Sequence, residues 1–121
     1  MATRVLVVDD AKFMRHLLKN ILSEIGCEVV GEAADGNEAC TKYEELSPDV
    51  VTMDIVMPNV SGIEALKKIR SMDSEAKVVM ITAIDQREPL MEALKLGAVD
   101  YVVKPFEKER VEEALQRVAA G

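Results

Sequence analysis

The chain has 121 residues, of which 49% are hydrophobic and 31% charged, with a formal net charge of −7. This length suits a single domain over residues 1–121, able to bury roughly two thirds of its unfolded surface in a core that needs no staples. The balance excludes a disordered chain, the acidic surplus argues against a direct nucleic-acid partner, and no apolar run approaches the roughly 20 residues of a membrane span. No apolar export region precedes the first strand, so a cytoplasmic location is expected. Cys27 and Cys40 have no metal-type spacing and read as reduced thiols, and the single His16 reads as a solvated helix position.

Residues 4–8 are a continuous branched apolar run, the mark of a strand buried on both faces. Past Asp9 and Asp10 the period changes. Phe13, Leu17, Ile21 and Ile25 recur at helical spacing with Met14 and Leu18 beside them, while Lys12, Arg15, Lys19 and Glu24 take the other side. Gly26 is a good stop for this helix. Residues 27–31 form a shorter, less apolar strand suited to a sheet edge. Asp35-Gly36 turns into a second helix, with Ala39, Tyr43 and Leu46 inward, that ends at Ser47-Pro48-Asp49. A buried strand at 50–54 follows, then a loop at 55–62 and a helix from about Ile63 to Met72 with Ile63, Leu66 and Ile69 on one face. A strand at 78–82, a helix from about Glu88 to Leu96 capped by Gly97, a strand at 99–103, the Lys104-Pro105-Phe106 turn and a helix from about Lys108 to Ala119 complete the chain. Five repeats of strand then helix predict an α/β fold, a five-stranded parallel sheet with helices on both faces.

In such a sheet the carboxyl ends of the strands share one edge, and ligands bind beyond that edge where the strand order reverses. Asp9 and Asp10 follow the first strand, Asp54 ends the third, Thr82 ends the fourth and Lys104 follows the fifth. Crowded carboxylates raise at least one pKa and cost stability unless a cation relieves them. Magnesium fits, since it takes one or two carboxylates together with waters and phosphate oxygens. The plainer alternatives are helix caps for Asp9 and Asp10, a capping hydroxyl for Thr82 and a simple ion pair for Lys104. Taken together, cation, hydroxyl and ammonium surround one carboxylate, Asp54, that can attack a phosphoryl group and hold it as an acyl phosphate.

These residues carry a resemblance. Val7-Val8-Asp9-Asp10, Met53-Asp54 with Met57-Pro58 and Gly62, Thr82-Ala83 and Lys104-Pro105-Phe106 stand in one order along the whole chain. In this the chain resembles the receiver domains of two-component response regulators, most of all CheY-type chemotaxis regulators, and Phe13-Met14-Arg15 adds a weaker signal for that branch. The resemblance implies a flavodoxin-like receiver fold with the strand order 2-1-3-4-5 known from flavodoxin and CheY. It implies that Asp54 is the phosphoacceptor and that a histidine kinase is the donor. It implies that Asp10 binds Mg2+ directly, Asp9 acts through water and the Val56 backbone carbonyl completes the metal shell. Lys104 would contact the phosphoryl oxygens, Thr82 would move toward them, Tyr101 would swing inward behind it, and the Lys104–Pro105 bond would be cis. The protein would be a monomeric signalling protein rather than a turnover enzyme, catalysing only its own phosphorylation and dephosphorylation. An output protein, such as a flagellar motor switch component, would read the face of the fourth helix, fifth strand and fifth helix, around Met91, Lys95, Val99 and Tyr101.

Val56 and Ile84 are apolar where polar side chains are often found in that branch, and both border the path of an attacking water, so slow self-dephosphorylation is expected. An Asp-nucleophile phosphatase of the dehalogenase type needs a second Asp two residues after the first, where this chain has Val56. A flavodoxin-like electron carrier needs a Ser-, Thr- and Gly-rich phosphate loop where Asp9 and Asp10 stand. The complete acid, threonine and lysine set argues against an interaction module that has lost phosphorylation. A receiver belonging to a larger regulator, for example a transcriptional one, stays open as an alternative context.

Overall fold

The computed structural model describes residues 2–120. The apolar runs form β1 (Arg4–Val8), β2 (Glu28–Ala33), β3 (Val50–Asp54), β4 (Val78–Thr82) and β5 (Asp100–Val103), which make one parallel sheet in the order β2-β1-β3-β4-β5. Between and after them come α1 (Lys12–Glu24), α2 (Gly36–Leu46), α3 (Gly62–Met72), α4 (Arg87–Lys95) and α5 (Lys108–Ala120). β3 and β4 are buried along their whole length, and β2 takes an edge as its weaker apolarity suggests. β2 runs past its expected end to Ala33, because a register shift after Val5 lets Leu6, Val7 and Val8 pair with Gly31, Glu32 and Ala33.

Strand alternation splits the core into two layers. Leu6, Val8, Val51, Met53, Val78 and Met80 pack with Ala39, Tyr43, Leu66, Ile69 and Ala93 of α2, α3 and α4. Val5, Val7, Val50, Val79, Ile81 and Val102 pack with Leu18 and Leu22 of α1 and Val111, Ala114 and Leu115 of α5. The inward faces expected for α2 and α3 are those observed. The face of α1 is not: Leu18 and Leu22 are buried, whereas Phe13 is 74% exposed and Leu17 lies at the surface. Apolar residues run around much of this helix, so periodicity alone cannot choose between two neighbouring stripes; packing against the sheet and α5 chooses. Among the described residues no helix is long and apolar enough to cross a membrane.

Local chemistry sets the helix starts that matter for the sheet edge. Asp35 accepts from the Glu38 N–H while the Glu38 carboxylate accepts from the Ala34 N–H, a reciprocal box at the start of α2. Ser61 accepts from the Glu64 N–H at the start of α3. The next residue, Gly62, donates its N–H to the Ile55 carbonyl at 2.8 Å. A Cβ on Gly62 would stand 2.1 Å from the Asp54 carbonyl oxygen, so only glycine allows α3 to begin this close to the end of β3. Gly62→Ala must therefore push the Asp54 backbone away, with an expected loss of about 2 kcal/mol or more in urea unfolding. Unchanged stability would show that the loop has room this packing does not provide.

Candidate functional site

β1 and β3 are neighbours, with Val8 beside Met53, so Asp9, Asp10 and Asp54 leave the sheet at adjacent points. One carboxylate oxygen from each lies within 4.8 Å of the others. Asp9 and Asp54 are buried and Asp10 is exposed. Lys104 reaches in from the β5–α5 loop, placing Nζ 3.1 Å from Asp9 Oδ2 and 3.4 Å from Asp54 Oδ2. Its backbone N–H donates to the Thr82 carbonyl at 2.7 Å, which ties the loop to the end of β4, and the Lys104–Pro105 bond is cis.

Asp9 also accepts from the Ala11 N–H at 2.9 Å, closing the turn into α1, while the Arg15 guanidinium donates to the Asp9 carbonyl at 2.7 Å. Arg15 is held in turn by Glu32, which also binds Lys19 at 2.8 Å. These cations, Lys19 foremost, hold the Glu32 carboxyl below its usual pKa despite partial burial. Asp9 thus both closes a turn and faces the pocket, whereas Asp10 lies at its exposed rim.

The electrostatics follow from this packing. Burial, and then the charge of Asp9, raise the Asp54 pKa to about 6, and Lys104 opposes them only in part. Burial works against the Lys104 ammonium as well, but the charge of Asp54, with the hydrogen bonds and charge of Asp9, outweighs it and holds the Lys104 pKa above the lysine range. Three carboxylates against one ammonium leave an excess of two negative charges. A donor set made only of carboxylate oxygens suits a hard divalent cation such as Mg2+ better than zinc, which favours nitrogen and sulfur ligands.

The other expected site residues reach the same edge but face elsewhere. The buried Thr82 hydroxyl lies 3.1 Å from the Ala83 carbonyl and 3.3 Å from Gln86 Oε1. The Tyr101 ring is partly exposed beneath the Arg110 guanidinium, 5.6 Å from the ring centroid. Between them lies a cavity of about 310 Å3 lined by Thr82, Ile84, Leu90, Met91, Tyr101 and Val103 among others. Val56, in the loop after Asp54, and Ile84, in the loop after Thr82, are 57% and 89% exposed. Sequence reasoning did not single out Asp100. It is buried at the start of β5 and paired with Arg110 at 3.1 Å and Arg117 at 3.6 Å on α5. Arg110 also donates to the Tyr101 carbonyl. The available signal was an acid at an inward strand position followed by arginines one α5 face could bring to it.

A parallel sheet of this order with an acid triad, a lysine and a threonine at its carboxyl edge defines a receiver. Over residues 5–116 the sequence matches the response regulator receiver domain family, and the chain belongs to that family. It is 52% identical to chemotaxis protein CheY of Thermotoga maritima over 119 residues, covering 98% of this chain and 99% of that one. It is 50% identical to chemotaxis protein CheY of Bacillus subtilis over 117 residues, covering 97% and 98% of the two chains. A chain in the crystal structure of the CheX–CheY–BeF3–Mg2+ complex from Borrelia burgdorferi superposes with a TM-score of 0.88 at 38% identity, over 98% of this chain and 87% of that one. The chain is a receiver domain closely related to the CheY chemotaxis regulators.

The raised pKa of Asp54 has a measurable cost. The folded protein holds this proton more tightly than the unfolded chain, whose carboxyl sits near 3.8, so stability falls as pH rises from about 4 to above 6. Asp54→Asn removes the penalty. At pH 8 it should be more stable than the unaltered protein by on the order of 2 kcal/mol in magnesium-free urea unfolding, and the gap should shrink as pH falls below about 6 and close near pH 4. Equal stability at pH 8 would mean that Asp54 is not strained by its surroundings.

Proposed function

We propose that the protein is a phosphorylation switch in two-component signalling of the chemotaxis type, in which Asp54 takes a phosphoryl group from the phosphohistidine of a histidine kinase. One observation carries the reading: the Lys104 ammonium is shared between Asp9 and Asp54 inside a pocket that still has an excess of negative charge. Asp9, Asp10 and Asp54, with the Val56 backbone carbonyl, would hold Mg2+. When bound, that ion supplies the positive charge that lets an anionic phosphoryl group approach a carboxylate. An Asp54 oxygen then forms the new bond to phosphorus as the phosphorus–nitrogen bond to the histidine breaks, and the bonding pair leaves with the imidazole. Lys104 balances charge on the phosphoryl oxygens, and the acyl phosphate stays on the protein until water removes it.

The readout is a population shift. Thr82 turns its hydroxyl toward the phosphoryl oxygens, and Tyr101 moves into the cavity beside it. The face of α4, β5 and α5 then changes shape. Met91, Val99 and Tyr101 are the apolar part of that face and Lys95 a charge on it, all exposed. A motor switch component or another chemotaxis protein is the expected reader, in keeping with relatives that carry the name chemotaxis protein. The protein is read as a cytoplasmic monomer that does not bind nucleic acid and turns over no external substrate.

Two measurements test this. Intact-mass spectrometry after mixing with a small acyl phosphate donor should show the gain of a single phosphoryl group that requires magnesium and is absent in Asp54→Asn; no gain by folded protein would overturn the reading. The exposed, apolar Val56 and Ile84 offer no hydrogen bond to an incoming water, so the acyl phosphate should be long-lived, and Val56→Asn should shorten its lifetime several-fold. A lifetime of seconds in the unaltered protein, or no response to Val56→Asn, would remove that assignment.

A further inference from the structure

We propose that Gln86 is a positioning residue that sets how readily Thr82 engages a phosphoryl group on Asp54; the inference rests on the receiver reading above. The Ala83 backbone N–H lies 2.7 Å from the Gln86 side-chain oxygen. An N–H can only donate, so the atom facing it is the carbonyl oxygen and the orientation of the amide is settled. The same oxygen lies 3.3 Å from Thr82 Oγ1, and because a carbonyl oxygen cannot donate, the contact forms only when Thr82 turns its proton toward it. The second neighbour of that hydroxyl, the Ala83 carbonyl at 3.1 Å, is also an acceptor. The single Thr82 proton is thus committed to the loop by two competing carbonyls. Thr82 is 1% exposed, so water does not replace them.

The ordinary role for a polar residue at this place is to cap α4. Gln86 is the N-cap residue, yet its side chain makes no hydrogen bond to the free N–H groups of that helix. It bends back instead, and together with its own N–H, which donates to the Ala83 carbonyl at 3.1 Å, it closes the β4–α4 loop around Thr82. The cavity of about 310 Å3 between Thr82 and Tyr101 borders this loop. To donate to a phosphoryl oxygen, the Thr82 hydroxyl must leave Gln86, and the strength of that contact enters directly into the balance between the two loop positions. Loss of one hydrogen bond of this kind corresponds to about a three- to tenfold change in that balance.

The test uses beryllofluoride with magnesium as the phosphoryl stand-in. Gln86→Leu keeps the bulk and loses the acceptor, and should bind beryllofluoride about three- to tenfold more tightly than the unaltered protein. In the metal-free protein, the Tyr101 ring and Thr82 methyl NMR signals of Gln86→Leu should move part of the way toward their beryllofluoride-loaded positions. In a Thr82→Val background Gln86→Leu should change neither the beryllofluoride affinity nor the Tyr101 ring signals, because the Thr82–Gln86 contact is already gone and only the tie to the Ala83 N–H remains to be lost. If folded Gln86→Leu binds as the unaltered protein does, or if its effect persists with Val at 82, Gln86 is only a loop tie and the proposal falls. If the unaltered protein itself does not bind beryllofluoride with magnesium, the receiver reading falls first and this one with it.

Discussion

The structure turns on one ammonium group between two buried carboxylates. Lys104 Nζ sits 3.1 Å from Asp9 and 3.4 Å from Asp54, and its backbone N–H, bonded to the Thr82 carbonyl at 2.7 Å, holds the loop that carries it against the end of β4. Each larger feature serves this placement. The parallel order brings β1 and β3 together so that the acids converge. Gly62 lets α3 start against the Asp54 carbonyl, and Arg15 holds the Asp9 carbonyl from the other side. The lysine still balances only part of the charge, so Asp54 stays strained with a pKa raised to about 6. In the proposed function that residual charge is what a cation would relieve, since a site fully neutralised by protein groups would gain little from one.

Two further ties hold the surroundings of this pocket in place. On one side the Thr82 hydroxyl is turned into its own loop by Ala83 and Gln86. On the other, Asp100 anchors Arg110, and the Arg110 guanidinium covers the Tyr101 ring. The Asp100 pair also joins β5 to α5. In the proposed switch the phosphoryl group therefore needs to outbid only a few local contacts to change an extended surface, which is the condition for a small chemical event to have a wide readout.

Much of this was legible in the sequence, for identifiable reasons. The central strands are unbroken branched apolar runs, and each ends on a residue that chemistry singles out, so a parallel sheet with Asp9, Asp10, Asp54 and Lys104 on one edge followed from the residues, while the strand order came from the resemblance. Where two answers had equal local support, the sequence fell short. The apolar girdle of α1 admitted a stripe through Phe13 and Leu17 as well as the buried one through Leu18 and Leu22. Asp100, set between Val99 and Tyr101, read as part of a strand start, because its partners Arg110 and Arg117 are brought to it only by the folding of α5. The directions of Thr82 and Tyr101 were hidden for a similar reason: each is a rotamer choice decided by a neighbour, Gln86 or Arg110, that no motif marks.

The central claim is that Asp54, and no other acid of the crowded trio, forms the bond to phosphorus. The direct measurement is borohydride reduction of the protein after exposure to an acyl phosphate donor and magnesium, followed by peptide mapping. Reduction converts an aspartyl phosphate to homoserine and leaves free carboxylates untouched. The account predicts homoserine at position 54, with Asp9 and Asp10 intact. Homoserine at 9 or 10, or none in folded protein that has gained a phosphoryl group, would contradict it.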